Sequence, residues 1–155
     1  MSWSFLEIKI MPLENYDFDL GIPVYQTNGA SGADVKANLE NKKEIIIKPG
    51  ARLAIPTGFS LAIPSGHEIQ VRPRSGLSFK SGLMILNTPG TIDSDYRGEV
   101  KVIVGNLGTD DFLIKHGDRI AQIVVCPLLR GRFVITDELD ETSRNHNGFG
   151  SRGIN

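Results

Sequence analysis

Turn-forming residues interrupt this chain every few positions, with 17 glycines and 8 prolines spread through 155 residues. Between the breaks lie short runs that are apolar or alternate in polarity. Ile45-Ile46-Ile47 runs up to Pro49-Gly50, a turn signal. Leu53-Ala54-Ile55 and Phe59-Ser60-Leu61-Ala62-Ile63 each end at a proline. His67 to Val71 alternates, with Ile69 and Val71 on one face and Glu68 and Gln70 on the other. Val100, Val102 and Val104 alternate with Glu99, Lys101 and Ile103, and Ile120 to Cys126 is almost wholly apolar. Many short strands at such spacing predict an all-β barrel or sandwich. Only Ser75 to Ser81 reads as a short helix. From about Asp137 the chain turns polar and then glycine-rich, which predicts one domain over 1–136 and a mobile, flexible tail over 137–155.

Bulk properties narrow the function. The length fits one ordinary domain, and a 40% apolar fraction is enough for a real core. The formal net charge of −1 gives no general pull toward nucleic acid or a membrane, so neither is expected as a direct partner. One cysteine, Cys126, excludes an intrachain disulfide and fits a reducing compartment. Its apolar surroundings predict a small core residue and not a nucleophile. No apolar stretch approaches the ~20 residues of a membrane span. Met1 to Phe5 lacks the basic and apolar regions of a secretory signal, so a cytoplasmic location is expected.

Several segments carry chemistry. Gly90-Thr91-Ile92-Asp93-Ser94-Asp95-Tyr96-Arg97-Gly98 sets two carboxylates, an aromatic ring and an arginine between glycines. Two such carboxylates repel unless donors or a cation stabilise them. One could act as a general base toward water; the other reading is a polar hairpin with an internal Asp–Arg pair. Arg74-Ser75-Gly76 falls where a strand ends and the helix begins, so backbone N–H groups, a guanidinium and a hydroxyl could meet an anion there. Equally, Ser75 could be a plain N-cap and Arg74 a surface ion pair. Asp34 follows the small residues Gly29 to Ala33, which allow close backbone approach or simply form a turn. Gln122 is the one polar side chain in a buried run, and a buried amide needs partners. Phe149 stands between Gly148 and Gly150 with no core to enter, flanked by Arg144 and Arg152. His67, His116 and His146 are scattered, form no metal set and read as surface residues.

Taken in order, these segments resemble the motifs of the trimeric deoxyuridine triphosphate pyrophosphatases, the dUTPases. Ser31 to Ala37 is similar to the first family motif, Pro73 to Leu77 to the second and Gly90 to Val100 to the third. Gly117 to Gln122 is similar to the fourth, and Arg144 with Gly148 to Ser151 to the fifth. The resemblance covers nearly the whole chain. It implies a distorted jelly-roll-type β-barrel with one short helix and a flexible glycine-containing C-terminal tail. It also implies a homotrimer with sites shared between subunits.

The implied reaction is Mg²⁺-assisted hydrolysis of dUTP to dUMP and pyrophosphate. That reaction limits uracil in DNA and supplies dUMP for dTMP synthesis. By motif position, the resemblance makes Asp93 the base that activates water. Tyr96 would pack on the deoxyribose. Asn87, Thr91 and Ile92 would read the uracil edge. Arg74, Ser75, Gly76 and Gln122 would hold phosphates, and Asp34 would meet the metal through water. Phe149 would stack on uracil, Arg144 and Ser151 would bind the γ-phosphate with Gly150 a further substrate-binding residue beside them, and the tail would close over a site. Three positions depart from the usual fifth motif: Asn145, Asn147 and Arg152. Asn145 and Asn147 stand where glycine is common, and asparagine tolerates the left-handed conformation better than most residues. Two rivals stand beside this reading: a dCTP deaminase-type enzyme and a non-catalytic nucleotide-responsive regulatory protein.

Overall fold

The computed structural model of the chain describes residues 5–148. Among them are twelve strands: β1 (Lys9–Pro12), β2 (Val24–Tyr25), β3 (Ala33–Lys36), β4 (Ile45–Ile47), β5 (Arg52–Pro56) and β6 (Phe59–Ala62), then β7 (His67–Arg72), β8 (Leu83–Ile85), β9 (Gly90–Ile92), β10 (Lys101–Asn106), β11 (Phe112–Ile114) and β12 (Arg119–Pro127). The single α-helix among these residues, α1, spans Ser75–Ser81 as the sequence predicts. Proline ends β5 at Pro56 and follows β7 at Pro73, because it cannot donate to a sheet ladder. Every strand pairing is antiparallel. The largest sheet runs in the order β2-β3-β12-β7-β9, and smaller groups join β5-β10-β8, β1-β6 and β11-β4. Together they form the expected all-β, distorted jelly-roll-type fold.

Period-two patterning decides the faces. On β7, Ile69 and Val71 are buried, and on β10 so are Val102 and Val104, while Lys101 and Ile103 face outward. Ile47, Ile55, Leu83, Ile85 and Ile114 complete a core to which every face contributes. Burying a side chain of this size contributes about 1.5–3 kcal/mol. Asn106 is the polar exception. Fully buried, it donates from Nδ2 to the carbonyls of Ile47 and Asp110, both at 2.8 Å, and accepts from the Gly108 N–H at 2.8 Å. Those three bonds tie the end of β10 to β4 and to the following turn. At Gly58 (φ +76°) a Cβ would lie 3.0 Å from the Tyr16 ring and crowd the Asn38 amide, so glycine is required both for the backbone and for the space.

Some local expectations change. Asp34 lies within strand β3 and not in a turn, paired with Gln122 on β12 and Val24 on β2. Pairing on both flanks supplies what its own sequence does not announce. Cys126 is half-buried outside the core, its thiol 3.8 Å from Arg72 Nη2. Alternation on β12 turns it outward. His116 is mostly buried and structural. Its Nδ1 accepts the Leu39 N–H at 3.0 Å, so Nε2 carries the proton and donates to Asp17 Oδ2 at 3.0 Å. The Lys42 ammonium, 2.8 Å from the same oxygen, and the Asp19 N–H hold the Asp17 carboxyl down to about 2. Lys42 is raised in return.

Candidate active site

A cleft of about 430 Å³ opens on the outer face of the large sheet, lined by Asp34, Arg74, Ser75, Gly76, Lys80 and Gln122 among others. Three segments distant in sequence build it. Asp34 faces outward from β3, Gln122 stands opposite it on β12, and Arg74 caps the helix that follows β7. The Asp34 carboxylate is held by two arginines: Arg74 Nε lies 3.2 Å from Oδ1 and Arg119 Nη1 lies 3.0 Å from Oδ2. Arg74 also donates from Nη1 to the Arg119 carbonyl at 2.8 Å. This closed arrangement fixes the guanidinium of Arg74 and leaves its remaining N–H groups for an anion. Arg74 occupies the cap position without a side-chain cap bond, so Ser75 opens the helix and is not its N-cap. Gly76 faces open space.

A β-bulge makes this geometry possible. Arg119 pairs with Lys36 and Ala121 with Val35, so Ile120 is an extra residue in β12. In a regular strand Arg119 and Gln122, three apart, would face opposite ways. The bulge resets the alternation, buries both Ile120 and Ala121, and turns Arg119 and Gln122 to the same outer face. The Gln122 amide then lies directly on Gly32 and donates from Nε2 to the Pro73 carbonyl at 2.9 Å. That bond ties β12 to the loop carrying Arg74. Arg119, which the sequence did not single out as a site residue, is thereby placed beside the cleft, bound to Asp34. Its sequence signal was its place three residues before Gln122, which only a bulge makes meaningful.

The other candidates form a second group. Asn87 sits in the turn between β8 and β9 with its amide against Gly90, where a Cβ would lie 3.0 Å from Nδ2. Thr91 is exposed and Ile92 buried on β9. Asp93 follows directly, exposed, and its carboxylate makes no ion pair or side-chain hydrogen bond among the described residues. Arg97 does not pair with Asp95. It donates to the carbonyls of Ser94 and Tyr96, both at 2.8 Å, and so stiffens the turn. The half-exposed Tyr96 ring lies back over Gly98 and its hydroxyl donates to the Glu99 carbonyl at 3.1 Å.

The register separates the two groups. Ile92 pairs with Ile69, which places Asp93 beside Glu68 at the start of β7. Arg74 lies beyond the other end, past Arg72. At ~3.3 Å per residue the six steps from 68 to 74 span roughly 20 Å. One chain therefore does not bring Asp93 to its own cleft. Arg144 lies in an exposed stretch after β12, where its Nε donates to the Asn147 carbonyl at 2.8 Å. Asn145 adopts φ +39°, the left-handed conformation that asparagine tolerates. Phe149, Gly150 and Ser151 lie outside the described residues, as does Arg152.

The described residues contain no cluster of three or more His, Cys, Asp or Glu able to hold a metal ion. The one carboxylate in the cleft, Asp34, already carries two arginines. These donors fit an ion brought on the phosphates of a ligand and met through water, and do not fit a protein-built cage.

The fold and cleft define a class: an all-β barrel whose outer sheet presents arginine, amide and hydroxyl groups to an anion. The dUTPase family model matches residues 19–153. A deoxyuridine 5'-triphosphate nucleotidohydrolase of Bdellovibrio bacteriovorus is 53% identical over 148 residues, covering 96% of this chain and 97% of the relative. One from Sinorhizobium medicae is 52% identical over 135 residues, covering 87% and 84%. In solved structures, a mutant dUTPase of Staphylococcus bacteriophage 80alpha with dUpNHpp shares the fold at a TM-score of 0.82 and 21% identity, over 96% of this chain and 99% of that one. The chain belongs to the dUTPase family.

Proposed function

We propose that this protein hydrolyses dUTP to dUMP and pyrophosphate. The observation that carries the reading is the family match over 19–153, which spans every candidate residue from Asp34 to Ser151. In this reading Arg74, Ser75, Gly76 and Gln122 hold the phosphates in the cleft. Asn87, Thr91 and Ile92 read the base. Tyr96 packs against the deoxyribose and leaves no room for a 2′-hydroxyl. Asp93 takes a proton from the water that attacks the α-phosphorus, and pyrophosphate leaves. Its exposed, unpaired carboxylate supports that role, since a base must reach its water within ~3 Å. Mg²⁺ on the triphosphate would supply charge neutralisation before a hydroxide-like nucleophile approaches, and Asp34 would meet it through water. The tail residues Arg144, Phe149, Gly150 and Ser151 complete and cover the site.

The active unit in this reading is a homotrimer with shared sites. The roughly 20 Å between Asp93 and Arg74 along β7 supports it, because a second copy must supply one of the two groups. Exposed apolar residues on the stretch after β12, Leu129, Phe133 and Ile135, are suited to cover by another copy. No helix of the described residues is long and apolar enough to cross a membrane. A cytoplasmic site of action fits the single free cysteine.

A Mg²⁺-dependent turnover assay on dUTP, dCTP, dTTP and UTP, with products resolved, tests the reaction. The expected result is dUMP and pyrophosphate from dUTP alone. Ammonia released from dCTP, or binding of dUTP without turnover, refutes it.

A further inference from the structure

We propose that Lys80 is a phosphate-binding residue of the cleft, a mobile charge beside the fixed guanidinium of Arg74. The inference rests on the dUTP-hydrolysis reading. Gly76, Leu77, Lys80 and Ser81 all line the cleft. Gly76 and Lys80 are four apart on α1, as are Leu77 and Ser81, so one helical face is turned to the cleft. Of the cationic side chains around the cleft, Arg74 and Arg119 are both engaged by Asp34. The trio sums to one net positive charge, too little for a triphosphate. Lys80 makes no ion pair with any described residue. Its flexible stem and compact ammonium suit an anion whose position shifts as a bond breaks, whereas Arg74 is locked in place. Lysine in the last turn also suits the helix dipole, a purely structural role that the test separates.

The test compares Lys80→Gln with wild type and with Lys80→Arg. Lys80→Gln is expected to raise KM for dUTP roughly three- to fivefold, the scale of one exposed charge contact. It should change kcat much less and flatten the dependence of kcat/KM on ionic strength. Lys80→Arg should restore most of both. Lys43→Gln, which removes one charge at an exposed position outside the cleft, serves as the control for net charge and should match wild type. A wild-type KM and salt dependence in Lys80→Gln overturns the proposal, including when the melting temperature falls, which would mark a helix-end role alone. Absence of dUTP turnover in wild type would refute the functional reading instead. In that case calorimetry with inorganic tripolyphosphate decides: weaker binding by Lys80→Gln sustains the phosphate site, and unchanged binding overturns it.

Discussion

Gly32→Ala tests whether the amide of Gln122 is the clamp that holds the cleft together. The Gly32 backbone is not in the left-handed region, so alanine meets no conformational penalty there. Its cost is the contact. The new Cβ would lie 3.0 Å from Gln122 Cδ and 3.1 Å from its Cβ, and would overlap Oε1. Carbon atoms prefer about 3.5–4.0 Å. The amide end can swing away, but it then gives up the Nε2 bond to Pro73, about 0.5–1.5 kcal/mol net. An off-rotamer side chain adds about 0.5–1.5 kcal/mol. The expected loss is about 2 kcal/mol, read by urea unfolding at one fixed protein concentration, with a raised KM as the Pro73–Arg74 loop loosens. A double-mutant cycle makes the test sharp. In a Gln122→Ala background the Oε1 and Cδ overlaps are gone and only the 3.1 Å contact with the Cβ of position 122 is left, so Gly32→Ala should cost much less. Equal costs in the two backgrounds would refute the clamp.

Other perturbations separate chemistry from scaffold. Asp93→Asn should lower turnover by about 10²–10⁴ while nucleotide binding persists, because the amide cannot take the proton; undiminished turnover would remove Asp93 from the mechanism. Asn106→Ala should cost about 3 kcal/mol in urea unfolding, about 1 for each of three backbone groups left unpaired, and a loss under 1 would mean water replaces the amide. The Asp17 carboxyl, lowered from 3.8 to about 2 chiefly by its bond to Lys42, contributes stability present above its unfolded value and lost as pH falls through about 2. Lys42→Met should shift that acid loss to higher pH, and superimposable pH–stability curves would show the link is not formed in solution.

The strongly patterned elements were legible in the sequence. β7, β10 and β12 follow from alternation or continuous apolar character, and α1 from the end of the preceding strand before Ser75. β3 was not, since Asp34 and Lys36 read as polar and only pairing with β2 and β12 makes the segment a strand. The role of Arg119 was hidden for a related reason. A bulge is a slip between two strands, so one strand's sequence does not announce it. His116 looked like an isolated surface histidine because both of its partners, Leu39 and Asp17, are far away in sequence. The separation of Asp93 from the cleft is likewise a matter of register, which motif order along the chain does not encode.

That separation has a genetic reading. If catalysis joins the carboxylate end of β7 in one copy to the arginine end in another, a defect is a property of the assembly and not of the single chain. A copy lacking Asp93 and a copy lacking Arg74, each inactive alone, could together form intact sites when co-assembled. Conversely, a folded but defective chain would poison sites it shares with sound ones, so losing the gene outright could be milder than altering one residue.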